Sequence, residues 1–256
     1  MAKFFVSSED VFDTEIKIQG SDVNHIKNVL RLPVGKEITI SDRQGREFEC
    51  IIKEINVETV TAQIKNVKEN DTEPAVDTVL FQSLIKGEKM EFVIQKSVEI
   101  GVTTIIPIMT HRCVVKLETE KKLKSKVERW QKIAESAAKQ SRRGIIPKVC
   151  MPMTMKEAIS YAKDHLNVSC IPYELEHALH IKTFLQPLKV DSIGIFIGPE
   201  GGFTEEEIAL ADQEGVQAIT LGKRILRSET AGLFTLANIM YEMGEIEHGG
   251  SDISSS

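Results

Sequence analysis

The sequence predicts an α/β protein in two parts, a small N-terminal β-barrel followed by a larger domain of alternating strands and helices. Three observations carry this expectation. From Lys3 to about Lys68, short segments alternate apolar and polar residues with period two, the pattern of half-buried strands. From Asp77 onward, compact apolar runs alternate with helical patterns, as in a mainly parallel sheet covered on both faces. Near the C-terminus, two glycine-bearing loops each leave an apolar run, and ligands of open α/β sheets bind beyond the carboxyl ends of their strands.

The barrel strands are read at Glu15–Ile18, Glu37–Ile40, Glu47–Ile52 and Thr59–Ile64. Turn signals at Leu32-Pro33-Val34-Gly35 and Asp42-Arg43-Gln44-Gly45 separate them. Only Ser21–Leu30 has helical spacing here, with Ser21 or Asp22 as its N-cap. Asn66–Val76 is polar and contains Pro74, so it reads as a linker. Beyond it, strands are expected at Val79–Leu84, Thr104–Met109, Val168–Pro172, Ile193–Ile197 and Ala218–Leu221. Helices are expected at Lys89–Ile100, Lys121–Arg142, Met155–Lys163, Thr204–Glu214 and Ser228–Met243, with Thr204 and Glu207 forming a capping box. The expected domains are residues 1–70 and 77–247, with a polar, disordered tail at 248–256.

With 41% hydrophobic and 27% charged residues among 256, the composition is that of an ordinary soluble chain. No stretch approaches the roughly 20 apolar residues of a membrane span. The N-terminus lacks the apolar core of a secretion signal. Cys50, Cys113, Cys150 and Cys170 are scattered without a C-x-x-C pair, which favours reduced thiols over zinc or disulfides. Together these point to a cytoplasmic protein with no metal. The net charge is −6, yet His111–Arg143 holds eleven Lys or Arg against four Glu, a local +7 that leaves −13 for the rest. A clustered basic run suits phosphate contacts, and it is equally the composition of a solvated helix face.

The first glycine loop is Ile197-Gly198-Pro199-Glu200-Gly201-Gly202-Phe203-Thr204, and the second runs from Leu221-Gly222-Lys223-Arg224 through Ile225-Leu226-Arg227-Ser228-Glu229-Thr230-Ala231 to Gly232. Neither matches G-x-G-x-x-G or G-x-x-x-x-G-K-[ST]. Pro199 removes an N–H that a phosphate cradle would use, and Glu200 would repel an anion. The loops therefore suit a ligand without phosphates, approached closely by backbone.

The strings IGPEGGFTEEE and LGKRILRSETA resemble the bacterial 16S rRNA (uracil-N3) methyltransferase family of the SPOUT superfamily. The resemblance runs from about Phe4 to Glu242 and includes HIKNVLR at His25–Arg31, Lys86–Gly101, His111-Arg112-Cys113 and Arg129–Ile133. It implies a PUA-like, RNA-recognising barrel, a C-terminal domain with a deep trefoil knot, and a homodimer. The implied cofactor is S-adenosyl-L-methionine, and the implied partner is 16S rRNA within a small-subunit particle. Cofactor residues carried over by resemblance are Pro172, Tyr173 and Glu174; Ile197, Gly198, Pro199, Glu200, Gly201 and Gly202; and Leu221, Gly222, Ile225, Leu226, Arg227, Ser228, Thr230 and Ala231.

Uracil-N3 transfer requires removal of a weakly acidic proton, so a cation and a carboxylate near the acceptor are needed. Arg227 is the candidate for orientation and anion stabilisation, with a salt bridge to Glu229 or Glu200 as its plain reading. Glu200 or Glu229 is the candidate base, although Glu229 is also an ordinary first-turn helix acid. Arg31, Lys86, His111, Arg112, Gln140, Arg142 and Arg143 are candidate RNA contacts. His25 reads as structural and Trp130 as core. Lys139 departs from the family, which commonly has an acid before the glutamine. Another SPOUT target, or a non-catalytic RNA-binding protein of the same fold, are the alternatives.

Overall fold

The computed structural model describes residues 2–113 and 119–244. The tail expected at 248–256 lies outside them. The chain divides into two compact units: Met1–Glu73 with Ala138–Ile146, and Pro74–Ala137 with Pro147–Ser256.

The first unit holds β1 (Lys3–Phe5), β2 (Glu15–Gln19), a short α1 (Ser21–Asn24), β3 (Glu37–Ser41), β4 (Arg46–Ile55) and β5 (Thr59–Glu69). They form one five-stranded sheet in the order β1-β3-β4-β5-β2. Only the β1–β3 pair is parallel. Register shifts at Glu49/Cys50 and Ile52/Glu54 bend the long β4–β5 ribbon, and the sheet curls into a half-barrel. The period-two residues Ile16, Ile18, Ile38, Ile40, Phe48, Cys50, Ile52, Val60 and Ala62 all point into its core. Each large aliphatic buried there contributes about 1.5–3 kcal/mol.

Two expectations need correction. The helix read at Ser21–Leu30 is α1 followed by a wider π turn at His25–Val29, and Gly20 occupies the N-cap position with no side-chain cap. Ser21 and Asp22 already lie inside the helix, and Asp22 instead receives Lys139 Nζ on both oxygens at 2.9 and 3.1 Å. The linker read from Asn66 starts too early, since β5 stays paired through Arg46↔Glu69. Its polar side chains reflect exposure rather than irregular backbone.

Ala138–Ile146 is fastened within this unit by Ser41, Lys3 and Glu73. Ser41 Oγ donates to Gly144 O at 2.6 Å, and Lys3 Nζ donates to Arg142 O at 2.8 Å. Glu73 accepts from the Arg143 guanidinium at 2.6 Å and from the N–H groups of Gly144 and Ile145 at 2.8 and 3.1 Å.

The second unit is a parallel sheet of seven strands, in which β6 (Asp77–Ser83), β7 (Thr104–Met109), β8 (Lys148–Val149), β10 (Val168–Pro172), β11 (Ser192–Ile197) and β12 (Val216–Ile219) run in the order β12-β10-β11-β6-β7-β8. The seventh, β9 (Met153–Thr154), pairs with β7. Helices α2 (Lys89–Ile100), α3 (Glu120–Gln140), α4 (Met155–His165), α5 (Ile181–Leu185), α6 (Glu205–Gln213) and α7 (Ser228–Glu242) complete the fold. Burial on both faces explains the continuous apolar runs: every residue of β6 after Asp77 is buried. Phe81 of β6 stacks on Phe196 of β11 with ring centroids 4.2 Å apart. Trp130 is buried, in keeping with its core reading. Burial raises the thiols of Cys50 and Cys170 to about 12, so both stay protonated and unreactive. No helix among the described residues is long and apolar enough to cross a membrane.

Candidate functional site

Because β12, β10 and β11 are adjacent and parallel, their exit loops gather at one edge of the sheet. Between the first two loops lies a cavity of about 350 Å³. Pro172, Tyr173 and Glu174 form one wall; Leu221, Gly222, Ile225 and Leu226 form the other, with Ala231 of α7 beside them. Eight expected residues thus meet in one place. His177, Thr220, Lys223 and Arg224 also line it and carried no separate signal. Reading each strand-exit loop as a whole, rather than by its motif residues, would have included all four. The Tyr173 phenol is pushed above its ordinary range by burial, then by the charges of Glu205 and Glu174, so it remains neutral.

The cavity walls suit S-adenosylmethionine. Its size falls in the range of small-molecule sites, the leucines and Pro172 offer an apolar wall for a heterocycle, and Glu174 faces it with the only carboxylate among its lining residues.

The loop after β11 adjoins this cavity without lining it. Ile197, Gly198, Pro199, Glu200, Gly201 and Gly202 are absent from the walls, as are Arg227, Ser228 and Thr230. Instead they brace one another. Gly202 holds φ +69°, its N–H donates to Pro199 O at 3.0 Å, and a Cβ there would stand 3.2 Å from the Glu174 carboxylate. Ser228 Oγ donates to Gly198 O at 2.5 Å and accepts from the buried Gln82 amide at 3.0 Å. Thr230 is exposed, and its N–H donates to Arg227 O. Thr204 and Glu207 make the expected capping box at the start of α6.

The expected acids share a cation that was not expected in that role. Lys89 Nζ, at the start of α2, lies 3.3 Å from Glu200 Oε1 and 3.6 Å from Glu229 Oε1. Glu229 Oε2 is buried without a hydrogen-bond partner among the described residues. Arg227 bridges neither acid: it is exposed and makes no ion pair among the described residues.

The candidate RNA contacts separate by environment. Arg112 donates to Gly201 O at 2.8 Å and Phe203 O at 3.2 Å, so its guanidinium holds the β11 loop. His111 is exposed, and its backbone N–H donates to Glu207 Oε1 at 2.8 Å. Lys86 and Gln140 are exposed. Arg31 and Arg142 are exposed in the first unit. Arg143 is only 3% exposed, and Glu73 takes its guanidinium, which corrects its reading as a phosphate contact.

A family model for an RNA methyltransferase domain matches residues 72–240, and one for an RNA methyltransferase PUA domain matches residues 18–65. Ribosomal RNA small subunit methyltransferase E of Bacillus subtilis is 35% identical over 230 residues, spanning 88% of this chain and 89% of that protein. The chain belongs to this methyltransferase family. The Mesomycoplasma hyopneumoniae relative of the same name is also 35% identical, over 92% of this chain and 97% of its own. The crystal structure of a ribosomal RNA small subunit methyltransferase E from Neisseria gonorrhoeae bound to S-adenosyl methionine superposes with a TM-score of 0.83, at 32% identity over 94% of this chain and 97% of that one. The family membership makes the half-barrel a PUA domain and the parallel unit an RNA methyltransferase domain.

Proposed function

We propose that this chain methylates N3 of a uridine in 16S rRNA, using S-adenosylmethionine. The observation that carries this reading is the cavity at the exits of β10 and β12, in a chain of this family. When bound there, S-adenosylmethionine supplies an activated methyl group. Pro172, Leu221, Ile225, Leu226 and Ala231 pack its apolar parts, while Tyr173, Glu174 and Gly222 fix its orientation. The β11 loop, held by Arg112 and Ser228, supports Glu174 from behind through Gly202.

Arg227, at the start of α7 and without an ion pair among the described residues, orients the uracil and stabilises the imide anion left when its N3 proton departs. Glu200 or Glu229 accepts that proton, and Lys89 between them keeps both carboxylates in place. Residues 1–70 form the RNA-recognising domain, and residues 77–247 form the methyltransferase domain with the trefoil knot. The strand order, with β11 lying between β6 and β10, supports that threading. The working unit is a cytoplasmic homodimer acting on the small-subunit particle. Phe92 of α2 and Phe234 and Tyr241 of α7 supply exposed apolar surface for its interface.

Calorimetric titration with S-adenosylmethionine, followed by methylation of small ribosomal subunits and nucleoside mass spectrometry, tests this reading. Saturable binding and 3-methyluridine are expected. A 2′-O-methylated product would move the activity to ribose, and a folded chain that neither binds the cofactor nor methylates the particle would overturn it. Sedimentation of the purified chain tests the dimer.

A further inference from the structure

Three residues other than glycine hold positive φ among the described residues, and all three are arginines of the first unit: Arg31 at +50°, Arg43 at +63° and Arg142 at +62°. Glycine, asparagine and aspartate take left-handed backbone at little cost; a long side chain does not. Each turn needs that geometry. Arg31 closes the π turn, after which Leu32 N–H reaches back to Ile26 O at 3.0 Å. Arg43 lies in the β3–β4 turn, where Asp42 Oδ1 accepts from the N–H groups of Gln44 and Arg46. Arg142 ends the turn after α3, and its carbonyl accepts from Lys3 Nζ and Thr72 Oγ1. The backbone explains the turns but does not call for an arginine in any of them.

These guanidiniums are also unspent. All three residues are exposed, and none forms an ion pair among the described residues. Among the other arginines of this unit, Arg46 is taken by Asp42 and Arg143 by Glu73. Lys3, Lys68 and Lys139 are paired as well, whereas Lys17, Lys27, Lys36 and Lys65 form no ion pair among the described residues. Their turns share a neighbour. At the edge strand β1, Lys3 binds the carbonyl of Arg142, and the Phe4 ring meets that of His25, in Arg31's own turn, edge-on at 6.4 Å. Just past β1, Val6 N–H donates to Ser41 O at 2.9 Å, two residues before Arg43. Three weakly hydrated guanidinium forks around one strand, with no ion pair among the described residues, suit a partner of uniform negative charge such as a sugar-phosphate backbone better than a protein surface of mixed charge.

We propose that Arg31, Arg43 and Arg142 form a phosphate-gripping set around the β1 edge, positioning RNA without reading its bases. The assignment rests on the proposed RNA substrate. Its test is the salt dependence of binding to an in vitro transcript of small-subunit ribosomal RNA, measured by fluorescence anisotropy. Two triple variants are compared with the wild type: all three arginines to asparagine, which keeps the turns, and all three to lysine, which keeps the charge. The asparagine variant should lower the slope of log Kobs against log salt by about 2–3, and weaken binding about a hundredfold near 0.1 M salt. Its melting temperature should hold or rise, because asparagine relieves the backbone. The lysine variant should retain most of the slope.

Unchanged affinity and slope in the asparagine variant overturn the assignment. So does a melting temperature that falls together with RNA affinity, since that would make the arginines structural. Methyl transfer to small ribosomal subunits by the wild type reports on the activity separately. If it methylates the particle while the asparagine variant binds RNA normally, only the phosphate set fails. If the wild type transfers no methyl group yet the arginines govern binding, the activity fails and the phosphate set stands.

Discussion

At the scale of single residues, two glycines of one loop differ sharply. Gly202 holds φ +69° with the Glu174 carboxylate close behind it, whereas a Cβ on Gly201 would meet Arg112 at an ordinary 3.4 Å. Gly202→Ala should weaken S-adenosylmethionine binding about tenfold, because left-handed backbone costs alanine about 1–2 kcal/mol and Glu174 must shift. Gly201→Ala should change it less than about threefold, and calorimetry on both separates them. Glu47 gives a pH prediction in the first unit. Burial pushes its carboxyl up, but Lys3, then Lys68 and Asn70, outweigh that and leave its pKa below the ordinary 4.5. A depressed folded pKa contributes stability that is complete above the ordinary value and is lost as pH falls through the folded one. Glu47→Gln should therefore melt lower than wild type near neutral pH, and the gap should close in thermal melts taken progressively below 4.5.

At the scale of elements, the long periodic segments were legible and the short ones were not. β10 matches its expected bounds, α2 does too, α7 differs by one residue at its C-terminal end, and α6 by one residue at each end. α3 was expected to reach Arg142 and stops at Gln140, since helical propensity says nothing of the positive φ that Arg142 adopts. β8, β9 and α5 are too short to carry a period. Eight of the expected residues line the cavity because they fall in short motif segments, whereas the β11 loop read with them does not line it. The roles of Lys89 and Arg112 were not legible, because long-range pairing leaves no local pattern: Lys89 meets Glu200 across 111 positions. Arg112 also decides between two roles for its element. If it braces the β11 loop, Arg112→Ala should raise the S-adenosylmethionine Kd about five- to tenfold through its lost hydrogen bonds, with the circular dichroism spectrum intact. Unchanged cofactor affinity with weakened RNA binding would return it to the RNA contacts.

At the scale of the whole molecule, sequence patterning ends barrel texture at about Lys68 and begins α/β texture at Asp77, while the compact units divide between Glu73 and Pro74. What patterning could not register is that residues 138–146 group with the first unit, because helix α3 reads as one continuous amphipathic run into that segment. Glu73 has no complete set of donors until Arg143, Gly144 and Ile145 exist. This has a consequence for the order of events during synthesis. A nascent chain that has delivered residue 73 must wait for residue 146 before its first unit can close, a delay of roughly 4–15 s at ordinary elongation rates. Protease challenge of ribosome-arrested chains should find the half-barrel labile when only residues up to about 100 have emerged, and protected once 146 is out. Full protection at the shorter length would mean that the strands alone suffice. The unit that opens the sequence is thus expected to be completed only after more than half of the protein has been made.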